Sequence, residues 1–398
     1  MPSPMWRQHE LKESYDVVVI GGGVHGLATA YYLTKLGVRN IAVLEAKYLG
    51  FGGSGRNTAI VRSNYRTPEG IAFYDHSVKL YEQLAAELEF NVMFSQHGHF
   101  TLAHNERGVT GLIERANNNR MVGVNSRVIY PAEIQKLVPH LNVFGHSRFP
   151  IMAALYHPPG GIIRHDAVVW AYARGADRGG AHIHQQTEVT AIDVHQGKVT
   201  SVRTNRGTIR AGAVVNATAG YASTISKMAG VPLPIESHPL QACVTEPLKP
   251  FLDAVIVSST LHVYVSQTDR GELVLGAEVD DHQSYSIKGS LAFLEGAATH
   301  LLELFPFLAN VKVLRQWAGL CDMTPDYSPI IGEAPDVKGF LMTVGWGTYG
   351  FKAGPASGHL LAERIASGKT PKLLEPFGLE RFANDCLVGE KAAASVSH

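Results

Sequence analysis

The chain has 398 residues, 45% of them hydrophobic, and its 35 Lys+Arg are offset by 35 Asp+Glu. That balance excludes a disordered chain, which needs low hydrophobicity and high net charge, and it gives no basic excess for nucleic acid. The longest apolar runs, such as Val17–Ile20 and Ala213–Val215, fall far short of the ~18–20 residues that a membrane span needs.

Length alone suggests two or three domains with ample core. Met1–Lys12 carries no apolar signal core, and Cys243, Cys321 and Cys386 are too scattered for a disulfide framework, so a reducing cytoplasm is the expected setting. The 40 glycines make up about a tenth of the chain, above a background near ~7%. Their positions carry the reading.

Tyr15–Ile20 reads as a strand, Leu27–Leu36 as a helix and Asn40–Glu45 as a second strand, the βαβ unit. Tyr74–Glu89 places Leu80, Leu84 and Leu88 on one helical face. Arg164–Gly179 reads as a helix, and Ala181–Ile183, Val189–Asp193 and Ala213–Ala217 as strands. From Val231 to Asp281 prolines and short alternating runs such as His262–Val265 and Leu273–Leu275 indicate antiparallel strands with one open face. Helical spacing returns at Ser290–Phe305. Phe340–Val344 is then a strand and Gly354–Ala366 a helix.

The expected architecture is α/β (α+β overall): a discontinuous Rossmann-type nucleotide domain over 13–95, 151–225 and 326–385, with a β-rich substrate domain inserted at 96–150 and 226–325. No solenoid repeat is present.

Gly21, Gly23 and Gly26 form G-x-G-x-x-G between strand and helix. The first permits the turn, the second admits a pyrophosphate, and the third lets helix and strand approach, with the phosphates at the positive helix end. Val24 and His25 complete this turn. Glu45 stands about 20 residues beyond Gly26, at a strand end, where an acid grips ribose hydroxyls and would repel the 2′-phosphate of NADP.

A second glycine-rich loop, Gly50–Gly55 followed by Arg56, Asn57 and Thr58, and a third, Gly345–Lys352, are more than a diffusible nicotinamide needs. Three loops favour an enclosed flavin. Two cations follow the loops, Arg62 in an apolar run and Lys352 at a helix entry. They could fix a substrate carboxylate, one as a guanidinium fork and one as a point charge, although each alone also reads as a surface or ion-paired residue. The 19 histidines, including His97/His99 and His182/His184, show no convincing metal spacing. G-x-S-x-G, H-E-x-x-H and the P-loop are absent.

Six blocks in order carry a family resemblance: Ile20–Leu33, Gly55–Tyr65, Ser237–Gln241, Gln316–Gly319, Met323–Asp326 and Gly345–Lys352. Over about Tyr15 to Phe382 the chain resembles the D-amino-acid-oxidase-like FAD amine oxidoreductases, and within them the β subunits of heterotetrameric sarcosine oxidases.

The resemblance implies oxidation of an amine beside a carboxylate, with hydride passing from carbon to flavin N5. Here that means sarcosine (N-methylglycine) going to glycine and a one-carbon unit. It makes Arg62 and Lys352 the catalytic pair holding the carboxylate. It gives FAD non-covalently to Gly21, Gly23, Val24, His25, Gly26, Glu45, Gly53, Ser54, Arg56, Asn57, Thr58, Val189, Gly345, Gly347, Thr348, Gly350, Phe351 and Lys352. It further implies a covalent FMN on His165, partner α, γ and δ subunits, and tetrahydrofolate, if used, mainly on a partner chain.

Where monomeric members tether FAD through cysteine this chain has Gly319, with Cys321 displaced by two residues. Where they carry an oxygen-activating lysine and an active-site histidine it has Val274 and Glu278. Such a chain is expected to hand its electrons onward. A proline, hydroxyproline or D-amino-acid dehydrogenase β-type subunit is the rival enzyme reading, and a non-catalytic electron-transfer subunit the rival of another class.

Overall fold

A computed structural model describes residues 4–390, the side chains of Ala277 and Glu278 excepted. Residues 1–3 of the opening segment lie outside the described residues.

The buried run Tyr15–Ile20 belongs to a strand, Ser14–Ile20, at the centre of an eight-stranded sheet. Its parallel neighbours are Gly207–Asn216 and Ile41–Leu44; Val337–Val344 and His182–His184 extend the parallel set on either side. Strands covered on both faces can be apolar throughout, and Ile41–Leu44 is buried at every position. Val189–His195 and Lys198–Thr204 continue the sheet as an antiparallel meander from Gly207–Asn216, and Val199, Val202 and Ile209 pack with Val18 and Leu44 in the core on one face. The other carries three helices, Val24–Lys35, His165–Arg178 and Gly350–Ser367.

Small residues set how closely the helices approach. A Cβ at Gly354 would stand 2.4 Å from Val24 Cγ2, and one at Gly358 2.5 Å from the Ala28 Cβ. Two glycines four apart on the last helix thus face Val24 and Ala28, four apart on the first. This contact delivers the start of the last helix to the glycine turn at 21–23, although the two are more than 300 residues apart in sequence.

That helix begins at Gly350, four residues before the expected Gly354. Pro355 has no N–H to offer the Phe351 carbonyl one turn back. The Tyr81 hydroxyl supplies the missing donor at 2.7 Å. The Ser77 hydroxyl donates to the Lys352 carbonyl at 2.7 Å. Helix Pro68–Glu87 therefore stabilises a turn that local sequence would leave as loop.

A second eight-stranded sheet runs Val313–Met323, Glu236–Pro247, Glu272–Val279, Val263–Gln267, Val255–Ser258, His99–Ala103, Ala153–His157, Arg127–Ile129. It is antiparallel except between Val255–Ser258 and His99–Ala103. Ala153–His157 pairs with His99–Ala103, so its hydrogen bonds belong to the second sheet. One face packs on helix Leu291–Leu304 through Leu275, Val265 and Phe293. The alternate residues, among them Ala242, Tyr264 and Thr101, face a cavity between the two sheets.

Candidate active site

The cavity has a volume of about 1090 Å³, just above the ~300–1,000 Å³ range of ligand sites. At one end, Gly21 adopts φ +114°, and a Cβ there would meet the Ala217 carbonyl oxygen at 2.4 Å. A Cβ on Gly23 would sit 2.9 Å from Ser54 Oγ, the atom that accepts the Val24 N–H at 2.9 Å. Gly26 does not line the cavity; its Cβ would lie 2.0 Å from the Gly21 carbonyl oxygen, so its role is packing.

Glu45 lines the same end and accepts the Gly22 N–H at 2.9 Å and the Lys47 N–H at 2.8 Å. Burial raises its pKa while these two N–H groups oppose the rise. A carboxylate has further lone pairs, so capacity for a hydroxyl remains. Val189 lines this end as well.

The second loop forms a short turn, Gly53–Gly55. Gly53, Ser54, Arg56, Asn57 and Thr58 all line the cavity. The turn is tied across to the second sheet: the Arg56 carbonyl accepts the Trp317 indole N–H at 2.8 Å. The third loop contributes Gly347, Thr348, Gly350, Phe351 and Lys352.

Gly345 lies outside the lining and acts by its N–H, which donates to Asp322 Oδ2 at 2.6 Å. Burial pushes the Asp322 carboxyl up to about 7, against the pull of the N–H groups of this loop. His25 stacks on Trp346 at 4.4 Å, and burial lowers it to about 3, so it is a neutral wall.

A family described as FAD dependent oxidoreductase matches residues 16–364. The chain belongs to this family.

Relatives named sarcosine oxidase subunit beta are similar to this oxidoreductase along nearly its whole length. That of Rhodobacter capsulatus is 45% identical over 394 residues, 99% of this chain and 94% of the relative. That of Rhizobium meliloti is 46% identical over 390 residues, 98% and 93% of the two chains. Among solved structures, L-proline dehydrogenase from P. horikoshii superposes with a TM-score of 0.89 at 29% identity, covering 94% of this chain and 99% of that one.

The glycine cradle fits the family's FAD. Gly21 and Gly23, where a Cβ would strike the Ala217 carbonyl or Ser54, leave room for the close approach a pyrophosphate needs, and Glu45 lines the same end of the cavity. Gly319 lines the cavity against Arg56. Cys321 is buried beside it, and burial raises its thiol pKa. Among the described residues Val274 is not in the lining, and the side chain of Glu278 lies outside the described residues.

Arg62 and Lys352 do converge in one cavity. The Arg62 guanidinium stacks 4.3 Å over Tyr65 and donates to Asn64 Oδ1 at 3.0 Å and to the Asn64 carbonyl at 3.2 Å. The Lys352 ammonium reaches the Thr348 carbonyl at 3.5 Å. Burial, joined by the Arg62 charge and opposed by Cys321, lowers its pKa to about 7. Nearby His99 and His157 are buried and held neutral at ordinary pH by the same two influences.

His165 is placed elsewhere. It opens the helix His165–Arg178, half-buried between Arg164 and Asp166, which pair at 3.1 and 2.9 Å. It is not among the residues lining the cavity. Burial lowers its pKa.

Arg115, Asp322 and Tyr264 also line the cavity, and sequence reasoning missed them. The signal for Arg115 was available: with Leu112, Ala116 and Asn119 it lies on the buried stripe of helix Glu106–Met121.

Proposed function

We propose that this FAD-dependent oxidoreductase oxidises sarcosine to glycine and a one-carbon unit, as the β subunit of a hetero-oligomer with α, γ and δ chains. The observation that carries the reading is the convergence of Arg62 and Lys352 in the cavity that the three glycine loops enclose. When bound, FAD supplies the two-electron acceptor for the hydride leaving carbon.

The chain's own residues supply the rest. Arg62 takes the carboxylate through a fork of N–H groups, and Lys352 adds charge from the helix entry. Both are enclosed by protein, so the pair acts in a medium of low dielectric. Positive charge around the site also disfavours an ammonium on the substrate, leaving the amine neutral and able to release hydride.

The further elements of the reading are an FMN bound covalently through His165, a tetrahydrofolate site mainly on a partner chain, a cytoplasmic setting, and the division into flavin-binding and substrate-binding parts. The separation of His165 from the cavity suits a second flavin.

Anaerobic addition of sarcosine to the assembled protein tests the proposal. Loss of the oxidised flavin absorption is expected. Bleaching by L-proline and not by sarcosine would hand the site to the proline dehydrogenase reading, which the superposition at 0.89 favours. No bleaching by any amino acid would leave an electron-transfer subunit.

A further inference from the structure

Arg115 lies on helix Glu106–Met121, is 4% exposed, and lines the same cavity as Arg62. Its Nε donates to the Asn64 backbone carbonyl at 2.6 Å, and its second nitrogen, NH2, donates to the same oxygen. Arg62 also donates to that oxygen and to the Asn64 side-chain oxygen. One fully buried residue, Asn64, thus joins two buried guanidinium groups.

This arrangement is costly for a purely structural contact. A carbonyl oxygen has two lone pairs, and here three N–H groups converge on it. Burial, joined by the like charges of Arg62 and Arg66, lowers the Arg115 pKa to about 9. The carboxylate in range, Glu390, receives the N–H groups of Arg66 and Thr67 and the Thr67 hydroxyl. Two cations held side by side attract an anion more strongly than either alone.

We propose that Arg115 is a positioning residue for substrate recognition: through the Asn64 carbonyl it fixes the Arg62 guanidinium in the orientation that receives a carboxylate. The inference rests on the reading of Arg62 as the carboxylate-binding cation. Arg115 touches the Asn64 oxygen with two parallel donors, a geometry lysine cannot reproduce.

The test uses the assembled, FAD-loaded protein and two ligands. Methoxyacetate, in which oxygen replaces the amine, reports carboxylate affinity through the flavin spectrum, and sarcosine reports the rate of flavin reduction. Arg115→Met is expected to weaken methoxyacetate and raise the sarcosine KM by about 10–100-fold, the range of a lost charge-assisted contact, while the reduction rate at saturation falls less than about threefold. Arg115→Lys should show most of the KM effect, because charge remains but the double contact does not.

In an Arg62→Met background the same change should add little, since one pathway is already cut. Additive losses, or unchanged affinity in Arg115→Met, overturn the proposal while leaving the Arg62 assignment standing. Unchanged affinity in Arg62→Met overturns both. If Arg115→Met does not retain FAD, Arg115→Lys decides, and an unchanged KM there overturns the proposal.

Discussion

The Ser77 hydroxyl bridges the break that Pro355 makes beside Lys352: it donates to the Lys352 carbonyl at 2.7 Å and faces the Ala356 N–H at 3.4 Å. The cation of the site is therefore held through its backbone by a helix far from it in sequence. Ser77→Ala leaves a buried carbonyl without its donor, at a cost of about 1–3 kcal/mol. It should also let Lys352 shift, raising the sarcosine KM several-fold. Tyr81→Phe, which removes the donor to Phe351, should act in the same direction. Calorimetry with steady-state kinetics checks this; a changed Tm with an unchanged KM would show that the bridge serves stability alone.

Lys352 sets the pH response of the site. Its pKa falls from an ordinary 10.5 to about 7, mainly through burial. The unfolded chain therefore binds more protons between those values, and stability rises with pH across that window. Lys352→Met should remove the rise, measured as denaturant stability of the FAD-loaded protein at about pH 7 and about pH 10. Carboxylate affinity runs the other way. Methoxyacetate should bind best below about 7, where Lys352 is charged, and weaken as pH climbs through that value. The variant should bind it weakly at all pH values. A wild-type affinity independent of pH would remove Lys352 from the binding pair.

Where chemistry is local, the sequence was legible. The turn at Gly21–Gly26 could be read because strand, glycines and helix are consecutive, and Glu45 because its distance along the chain is set by one βαβ unit. The start of the last helix was misplaced because its first turn depends on Tyr81 and Ser77, which no local pattern announces. The pairing of Ala153–His157 with His99–Ala103 is hidden for a similar reason: the two strands are far apart in sequence. Arg62 and Lys352 could be nominated, but only packing of the two sheets puts them in one cavity.

The three glycines of the first turn should separate experimentally. Gly26→Ala places a Cβ 2.0 Å from the Gly21 carbonyl oxygen, where backbone must move, so little folded protein is expected. Gly23→Ala meets the Ser54 hydroxyl at 2.9 Å, which a rotamer change can relieve. It should fold and bind FAD about tenfold or more weakly, since Ser54 then leaves the Val24 N–H and the cradle narrows. Expression yield and FAD dissociation constants give the comparison. Equal FAD affinity in Gly23→Ala and wild type would refute the close approach assigned to Gly23.

His165 carries a cofactor prediction that is independent of the cavity. Acid denaturation should leave yellow colour on the wild-type polypeptide and release a second flavin to the supernatant. His165→Ala should release all of it while still reducing FAD with sarcosine under anaerobic conditions, because His165 lies outside the cavity lining. Colour lost entirely from the wild-type chain sinks the covalent FMN.

Asp326, the last residue of the Met323–Asp326 block, is best understood through stability. Its two oxygens receive Arg381 Nε at 2.8 Å and NH2 at 2.9 Å. Both residues are buried, and Asp326 Oδ2 also takes the Val388 N–H at 3.2 Å. Burial alone would raise the Asp326 pKa, but the Arg381 hydrogen bonds and charge overcome it and hold the carboxyl below its usual range.

A depressed folded pKa gives stability that is present above the unfolded value, near ~3.9, and lost as pH falls through the folded one. Arg381→Met should therefore cost about 3–5 kcal/mol at neutral pH, because the carboxylate is left buried without its partner. It should also lessen the acid loss, since the Asp326 pKa then rises. Asp326→Leu combined with Arg381→Met should recover much of the stability, as no charge is then stranded. Denaturant unfolding of the three proteins decides it: a single variant within about 0.5 kcal/mol of wild type would show that this buried pair contributes little to stability.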